Sequence, residues 1–401
     1  MKKSENLPLR LLIGVAAGII LGLLIPQEST LPFASSVVNV IGTVKYILGQ
    51  LINFCVPLIV IGFIAPSITK LGNNATRMLG VAIVIAYVSS VLAALLSMAA
   101  GYTIIPHLAF ASAAEEGASL PVPFELAIPQ IMPVMSALVF SVLIGLAAVW
   151  TRAKTVTAIL EEFQNIVLDI VKRVVIPILP IFIASTFYQL AWNGSITKQF
   201  PVFLIAILIV MVGHFVWMAI LYGAAGAYSG RSPIEVVKHY GPAYITAVGT
   251  MSSAATLAVA LQCAHKSSVL RRDMVDFGIP LFANIHLCGS VLTEVFFCMT
   301  VSQVLYGKLP SLGTMVLFCV LLAVFAIGAP GVPGGTVVAS LGLIAGVLMF
   351  DEAGRGLMLA IFALQDSFGT ACNVTGDGAL TLILTGYAEK HNISAQEPRL
   401  L

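Results

Sequence analysis

Charge is what this sequence lacks. Only 9% of its 401 residues are Asp, Glu, Lys or Arg, where a soluble domain carries about 25%, so an ordinary water-facing surface cannot be built from it. Twenty basic and 18 acidic side chains leave a net charge of +2. No basic cluster stands out, which gives no footing for a nucleic-acid partner. Cysteine is scarce as well. Cys55, Cys263, Cys288, Cys298, Cys319 and Cys372 lie far apart, mostly within apolar runs and without a C-x-x-C pair. They read as small core residues, not as a disulfide or metal framework. A solvated second domain is also missing from the pattern, since the tail "EKHNISAQEPRLL" is short.

What is there is apolar: 59% of the residues are hydrophobic and the mean hydropathy is +1.02. A bilayer core of roughly 30 Å needs about 20 apolar residues per helix. Spans of that kind fall near 9–25, 38–66, 78–104, 126–150, 168–192, 200–227, 278–305 and 354–388. The first begins like a signal peptide, but its run from Leu11 to Ile25 has no small-residue cleavage site and reads as a retained membrane helix. Two more apolar stretches, 243–262 and 313–349, are interrupted by "TMSSAATLA" (250–258) and "GAPGVPGGT" (328–336). Backbone freed by proline and glycine at membrane depth must be satisfied by protein or water, so such breaks belong around a cavity.

Basic residues orient the spans. If the spans alternate, fourteen lie on one side, among them Lys2, Lys3, Arg77, Arg152, Lys238, Lys266, Arg271, Arg272 and Lys390. Only Lys198, Lys308 and Arg355 lie on the other, which places both termini in the cytoplasm by the positive-inside rule. Segment 243–262 has basic residues on both flanks and therefore reads as a hairpin that enters and leaves on one side. By the same logic 313–349 re-enters from outside. The fold expected is all-α and integral to the membrane: eight transmembrane helices and two re-entrant hairpins in inverted repeats, with ligand sites near the midplane. Residues 1–230 would hold six helices, and 231–401 a transport core.

One helix carries an unusual stretch, "DSFGTACNVTGD" (366–377). Asp366, Thr370, Asn373 and Asp377 recur at i, i+4, i+7 and i+11, so they share one helical face. The carboxylates stand roughly 16 Å apart along the axis, too far to share a proton but suited to line one path at two depths. An aspartate within a bilayer costs about 2.5–3.5 kcal/mol, so it faces a cavity or a partner. The plain alternative is pairing with a lysine, for which Lys45 is the deep candidate. Ser252 and Ser253 sit at a hairpin tip, where free N–H groups suit a carboxylate. His286 and Glu294 are ionisable within an apolar helix, Ser89 and Ser90 add hydroxyls, and His214 reads as packing.

These motifs resemble the dicarboxylate/amino acid:cation symporters, which include the archaeal aspartate transporter, bacterial serine/threonine symporters, and animal glutamate and neutral amino acid transporters. "NVTGD" with Asp366 and Thr370, the "SSAAT" and "GVPGG" hairpins, and "PLFANIHLCGS" occur in the order and spacing of that family. The resemblance implies that Asp366 takes the substrate's amino group, with Thr370 beside it. It implies that Asn373 binds the α-carboxylate, helped by backbone at Ser252 and Ser253, with Val332 and Gly334 in the outer hairpin also at the substrate. It implies one sodium site at Asp377 with main-chain oxygens near Phe282, His286 and Asn373, and a second around Ala326, Ile327 and Ala329. Oxygen ligands suit that hard cation on physical grounds too. It further implies a homotrimer in the plasma membrane, an elevator movement, and sodium as the coupling ion.

Three departures bear on specificity. The family's Asn-Met-Asp-Gly-Thr reads His286-Leu287-Cys288-Gly289-Ser290, so one carboxylate ligand is replaced and a third sodium site is in doubt. Glu294 matches a position that carries a proton in the animal glutamate transporters, and with His286 it offers protonatable groups. Gly369 and Met251 stand where arginines would pair with a side-chain carboxylate. The substrate expected is therefore a small neutral amino acid of the serine, threonine, alanine or cysteine kind. Rivals are a carrier of acidic amino acids or dicarboxylates, an ion channel, and an intramembrane aspartyl protease. The protease reading is poor, because its two carboxylates come from two helices and must meet on one water, and a G-x-G-D motif is absent.

Overall fold

The computed structural model describes residues 7–29, 31–73, 77–108, 119–194, 196–329 and 334–393, and the regular structure among them is helical throughout. Five apolar stretches are long enough to cross a membrane: Ala34–Gly62, Met78–His107, Pro201–Ser229, Arg272–Tyr306 and Glu352–Lys390. Shorter apolar helices run over Ile13–Leu24, Val139–Trp150, Leu312–Gly328 and Gly335–Val347. Val40, Leu143 and Val212 are exposed on their outer faces. In water such surface would be a liability, but against lipid it is the expected exterior.

The helices pack in two groups. In the first, α1 (Leu7–Leu24) lies along α6 (Ile176–Trp192), while α2 (Ala34–Asn73) contacts α4 (Val134–Trp150), α5 (Lys154–Ile170) and α6. Gly14, Gly18 and Gly22, spaced four apart, explain the α1–α6 contact. A Cβ at Gly18 would lie 2.2 Å from Ala184 O, and one at Gly14 would lie 2.6 Å from Pro180 O. Without side chains the two backbones touch, which is how membrane helices gain packing when no hydrophobic effect separates helix from lipid.

In the second group, α15 (Glu352–Lys390) is the centre. Against it pack α7 (Ile196–Ser229), α9 (Gly241–Thr250), α10 (Ser253–His265), α11 (Arg272–Ile285) and α12 (Cys288–Tyr306). The third helix, α3 (Arg77–Ile104), packs on α12 and on α13 (Leu312–Gly328) and so joins this group rather than its sequence neighbours. A single turn, α8 (Ile234–Val237), precedes α9. Helices α9 and α10 are packed together and joined by Met251 and Ser252, with Met251 left-handed at φ 51° and Ser252 capping α10. At roughly 15 and 20 Å long, neither could cross a bilayer. Helix α13 and the shorter α14 (Gly335–Val347) likewise pack against each other.

Three expected spans differ. The stretch expected over 126–150 becomes helical only at Val134, because Pro129 and Pro133 hold the preceding chain extended. The stretch expected over 168–192 is preceded by α5, which runs through a π-helical turn at Val171–Val175 into α6. The stretch expected over 278–305 is not one helix, for His286 (φ −117°, ψ 101°) and Leu287 (φ −120°, ψ 42°) separate α11 from α12. The six cysteines are free and buried.

Candidate functional site

Helix α15 is uninterrupted, so the spacing of Asp366, Thr370, Asn373 and Asp377 does place them on one face, and all four are buried. Three of them meet the end of another helix. Asp366 Oδ2 accepts from Gly334 N at 2.7 Å, and Gly334 is the N-cap of α14. Its φ of 69° is left-handed, which favours glycine at this turn.

Asn373 works differently from a side chain aimed wholly at a ligand. Its Oδ1 accepts from Gly289 N (2.7 Å) and Ser290 N (3.2 Å), and its Nδ2 donates to Ser290 Oγ at 2.9 Å. A residue of α15 thus caps the exposed N–H groups that open α12, which explains why a helix can restart at Cys288 inside an apolar core. One N–H of the carboxamide remains. Gly289 permits the close approach, since a Cβ there would lie 2.5 Å from Gly369 O.

Asp377 meets the other side of the same break. Its Oδ1 stands 3.0 Å from His286 Nδ1, and His286 Nε2 stands 2.8 Å from Ser89 Oγ on α3. Asp377 Oδ2 is buried and accepts nothing among the described residues. The last carbonyls of a helix lack intrahelical partners; at the end of α11, Phe282 O is used by His286 N at 2.9 Å. A buried carboxylate oxygen without a protein partner is one part of the donor chemistry a hard cation takes.

The remaining expected residues are placed less directly. Ser252 Oγ caps its own helix by accepting from Ala255 N at 3.2 Å, and Ser253 is buried behind it. A Cβ on Gly369 would meet Ser290 at 3.5 Å, an ordinary contact along α12. Ala326, Ile327 and Ala329 lie at the end of α13, which packs on α3, α14 and α11. Val332 lies outside the described residues. Glu294 Oε1 accepts from Ser340 Oγ of α14, and its Oε2 is buried without a partner among the described residues. Lys45 donates to Gln189 Oε1 at 2.5 Å and, among the described residues, forms no ion pair with the stripe. His214 does more than pack, contacting Gly289 O at 3.1 Å and Thr293 Oγ1 at 3.0 Å, while Thr293 Oγ1 is 2.9 Å from Gln365 Oε1. Thr293 and Gln365 of that network, and Tyr222, whose hydroxyl donates to Thr375 O at 2.8 Å, were not singled out from sequence; a polar residue in an apolar run was their only signal.

Apolar helices interrupted around one buried polar stripe define a membrane transport protein. It matches the sodium:dicarboxylate symporter family over residues 7–387 and belongs to that family. It is 26% identical over 227 residues to excitatory amino acid transporter 2 of Mus musculus, covering 55% of this chain and 39% of that protein. It is 27% identical over 156 residues to neutral amino acid transporter B(0) of Rattus norvegicus, covering 39% and 28%. A Caenorhabditis elegans protein bearing the name of a sodium-dependent excitatory amino acid transporter is 31% identical over 162 residues, covering 40% and 32%. The matched part of this chain spans well under half the length of each of these relatives.

Proposed function

We propose that this chain couples inward sodium movement to uptake of a small neutral amino acid, of the serine, threonine or alanine kind, across the plasma membrane. The observation that carries the reading is the stripe on α15, read with its neighbours. Asp366 offers its second carboxylate oxygen to an ammonium group, and Thr370 lies one turn away. The remaining N–H of Asn373, with the hairpin backbone at Ser252, Ser253, Val332 and Gly334, serves an α-carboxylate. Asp377 Oδ2 and carbonyls near Phe282, His286 and Asn373 hold one sodium ion; Ala326, Ile327 and Ala329 hold a second. Cys288 leaves fewer anionic ligands than the family pattern has, so we assign fewer sodium ions per substrate than in the archaeal aspartate carrier, with Glu294 or His286 as the proton-bearing group if a proton is also moved.

A second, side-chain carboxylate would find no arginine, since Gly369 and Met251 occupy both positions. Burying it unpaired costs several kcal/mol, and each 1.4 kcal/mol is tenfold in affinity. Discrimination against aspartate should reach about a hundredfold. The architecture we assign is eight transmembrane helices with two re-entrant hairpins, α9–α10 and α13–α14, in inverted repeats. The assembly is a homotrimer with cytoplasmic termini. Helices α1, α2 and α4–α6 form the scaffold, and α3, α7 and the elements from 231 onward form the moving core of an elevator.

The test is sodium-driven uptake of labelled serine or alanine into proteoliposomes, competed by aspartate, with Gly369→Arg alongside. Aspartate should compete about a hundredfold less well than unlabelled serine, and the arginine should narrow that gap. Preference for aspartate by the wild type would instead favour the acidic amino acid reading.

A further inference from the structure

His286 stands at the break between α11 and α12 and is fully buried. Its ring is held at both nitrogens by segments remote in sequence, Ser89 of α3 at 2.8 Å and Asp377 of α15 at 3.0 Å. A ring kept only for packing would need neither contact, and leucine or phenylalanine would fill the volume without a polar atom to satisfy. The consequence falls on Asp377. With Oδ1 tied to the imidazole, the carboxylate cannot rotate, and Oδ2 is left buried without a partner among the described residues.

We propose that His286 is a positioning residue for the coupling ion: it clamps Asp377 Oδ1 against α3 so that Oδ2 alone is offered to a sodium ion. This rests on the assignment of Asp377 as the ion ligand. The carboxylate then binds through one oxygen, and the carbonyls at the end of α11 complete a shell of oxygens. Partners that orient a metal ligand are commonly worth 10–100-fold in ion affinity. Clamping also ties the ion to α3, because the Ser89 hydroxyl holds the far side of the ring.

The two ring nitrogens can be separated by substitution. Asparagine at 286 can place an amide near the position of Nδ1, within reach of Asp377 but short of Ser89. Glutamine places its amide near Nε2, within reach of Ser89, and gives up the contact with Asp377. The experiment is a sodium titration of the purified full chain, without amino acid, followed by thermal shift at constant ionic strength with choline as the balancing cation. His286→Gln should raise the apparent sodium dissociation constant about tenfold or more, while His286→Asn stays within about threefold of wild type. Melting temperatures in choline alone report any general structural damage. Equal shifts for both variants, or none in either while Asp377→Asn loses sodium affinity, would overturn the clamp alone. No loss in Asp377→Asn would overturn the ion site and the clamp together. Ser89→Ala removes only the far anchor and should weaken sodium about threefold, so the proposal stays testable if a residue-286 variant fails to fold. An unchanged sodium affinity in that variant would count against it.

Discussion

Asp366→Asn separates the structural contact of the wild-type carboxylate from the ammonium pairing proposed for it. Oδ2 accepts the Gly334 N–H at 2.7 Å, and an asparagine oxygen can accept the same bond, so the seat of the α14 N-terminus survives. What disappears is the charge. Asp366 is only 3% exposed, so an ammonium group bound there is paired inside the protein rather than in water. Removing one partner of such a pair costs about 3–5 kcal/mol, because the other charge is left buried and alone. At 1.4 kcal/mol per factor of ten, the affinity for serine or alanine should fall at least a hundredfold. A dicarboxylate without an amino group should respond in the opposite direction, since its repulsion by Asp366 is relieved. Equilibrium binding of labelled serine to the purified protein at saturating sodium measures the first effect, and competition by succinate the second. Serine affinity within about tenfold of wild type would refute the ammonium pairing. Asp366→Ala, which also deletes the acceptor for Gly334, should bind no better than the asparagine variant.

Two further outcomes test the frame around the site. Gly18→Ala should destabilise by about 3 kcal/mol, because its methyl would stand 2.2 Å from Ala184 O and overpacking forces backbone to move; Gly80→Ala, with nothing within 4 Å of its Cβ, should leave the melting temperature unchanged or slightly raised. Lys238→Cys and Lys266→Cys, both at exposed positions flanking α9–α10, should react with an impermeant maleimide from the same face of sealed vesicles, and labelling from opposite faces would end the re-entrant assignment.

Much of the site was legible because α15 is a regular helix. Four polar residues at helical spacing must share a face wherever such a helix lies, and 39 residues run without a break from Glu352 to Lys390. The interruption at His286–Leu287 was not legible as a break, because neither residue is a helix breaker. Its cause lies 83 and 84 positions away, in the Asn373 carboxamide that caps Ser290 and Gly289. His214 misled for the same reason: a lone histidine in an apolar run looks like packing until Thr293, 79 positions on, is found beside its ring.

Sequence by itself settled the solvent and the period. With 9% charged residues no fold of this chain can present an ordinary aqueous surface, and hydrophobic runs of bilayer length follow from composition and order alone. Tertiary structure decided which partner each buried polar atom takes. Asp377 and His286 are separated by 91 positions, and His286 and Ser89 by 197. Hydrogen bonds act over about 3 Å, so only the packing of α3, α11 and α15 could choose among the polar groups within reach. The same packing left Asp377 Oδ2 buried and without a partner among the described residues.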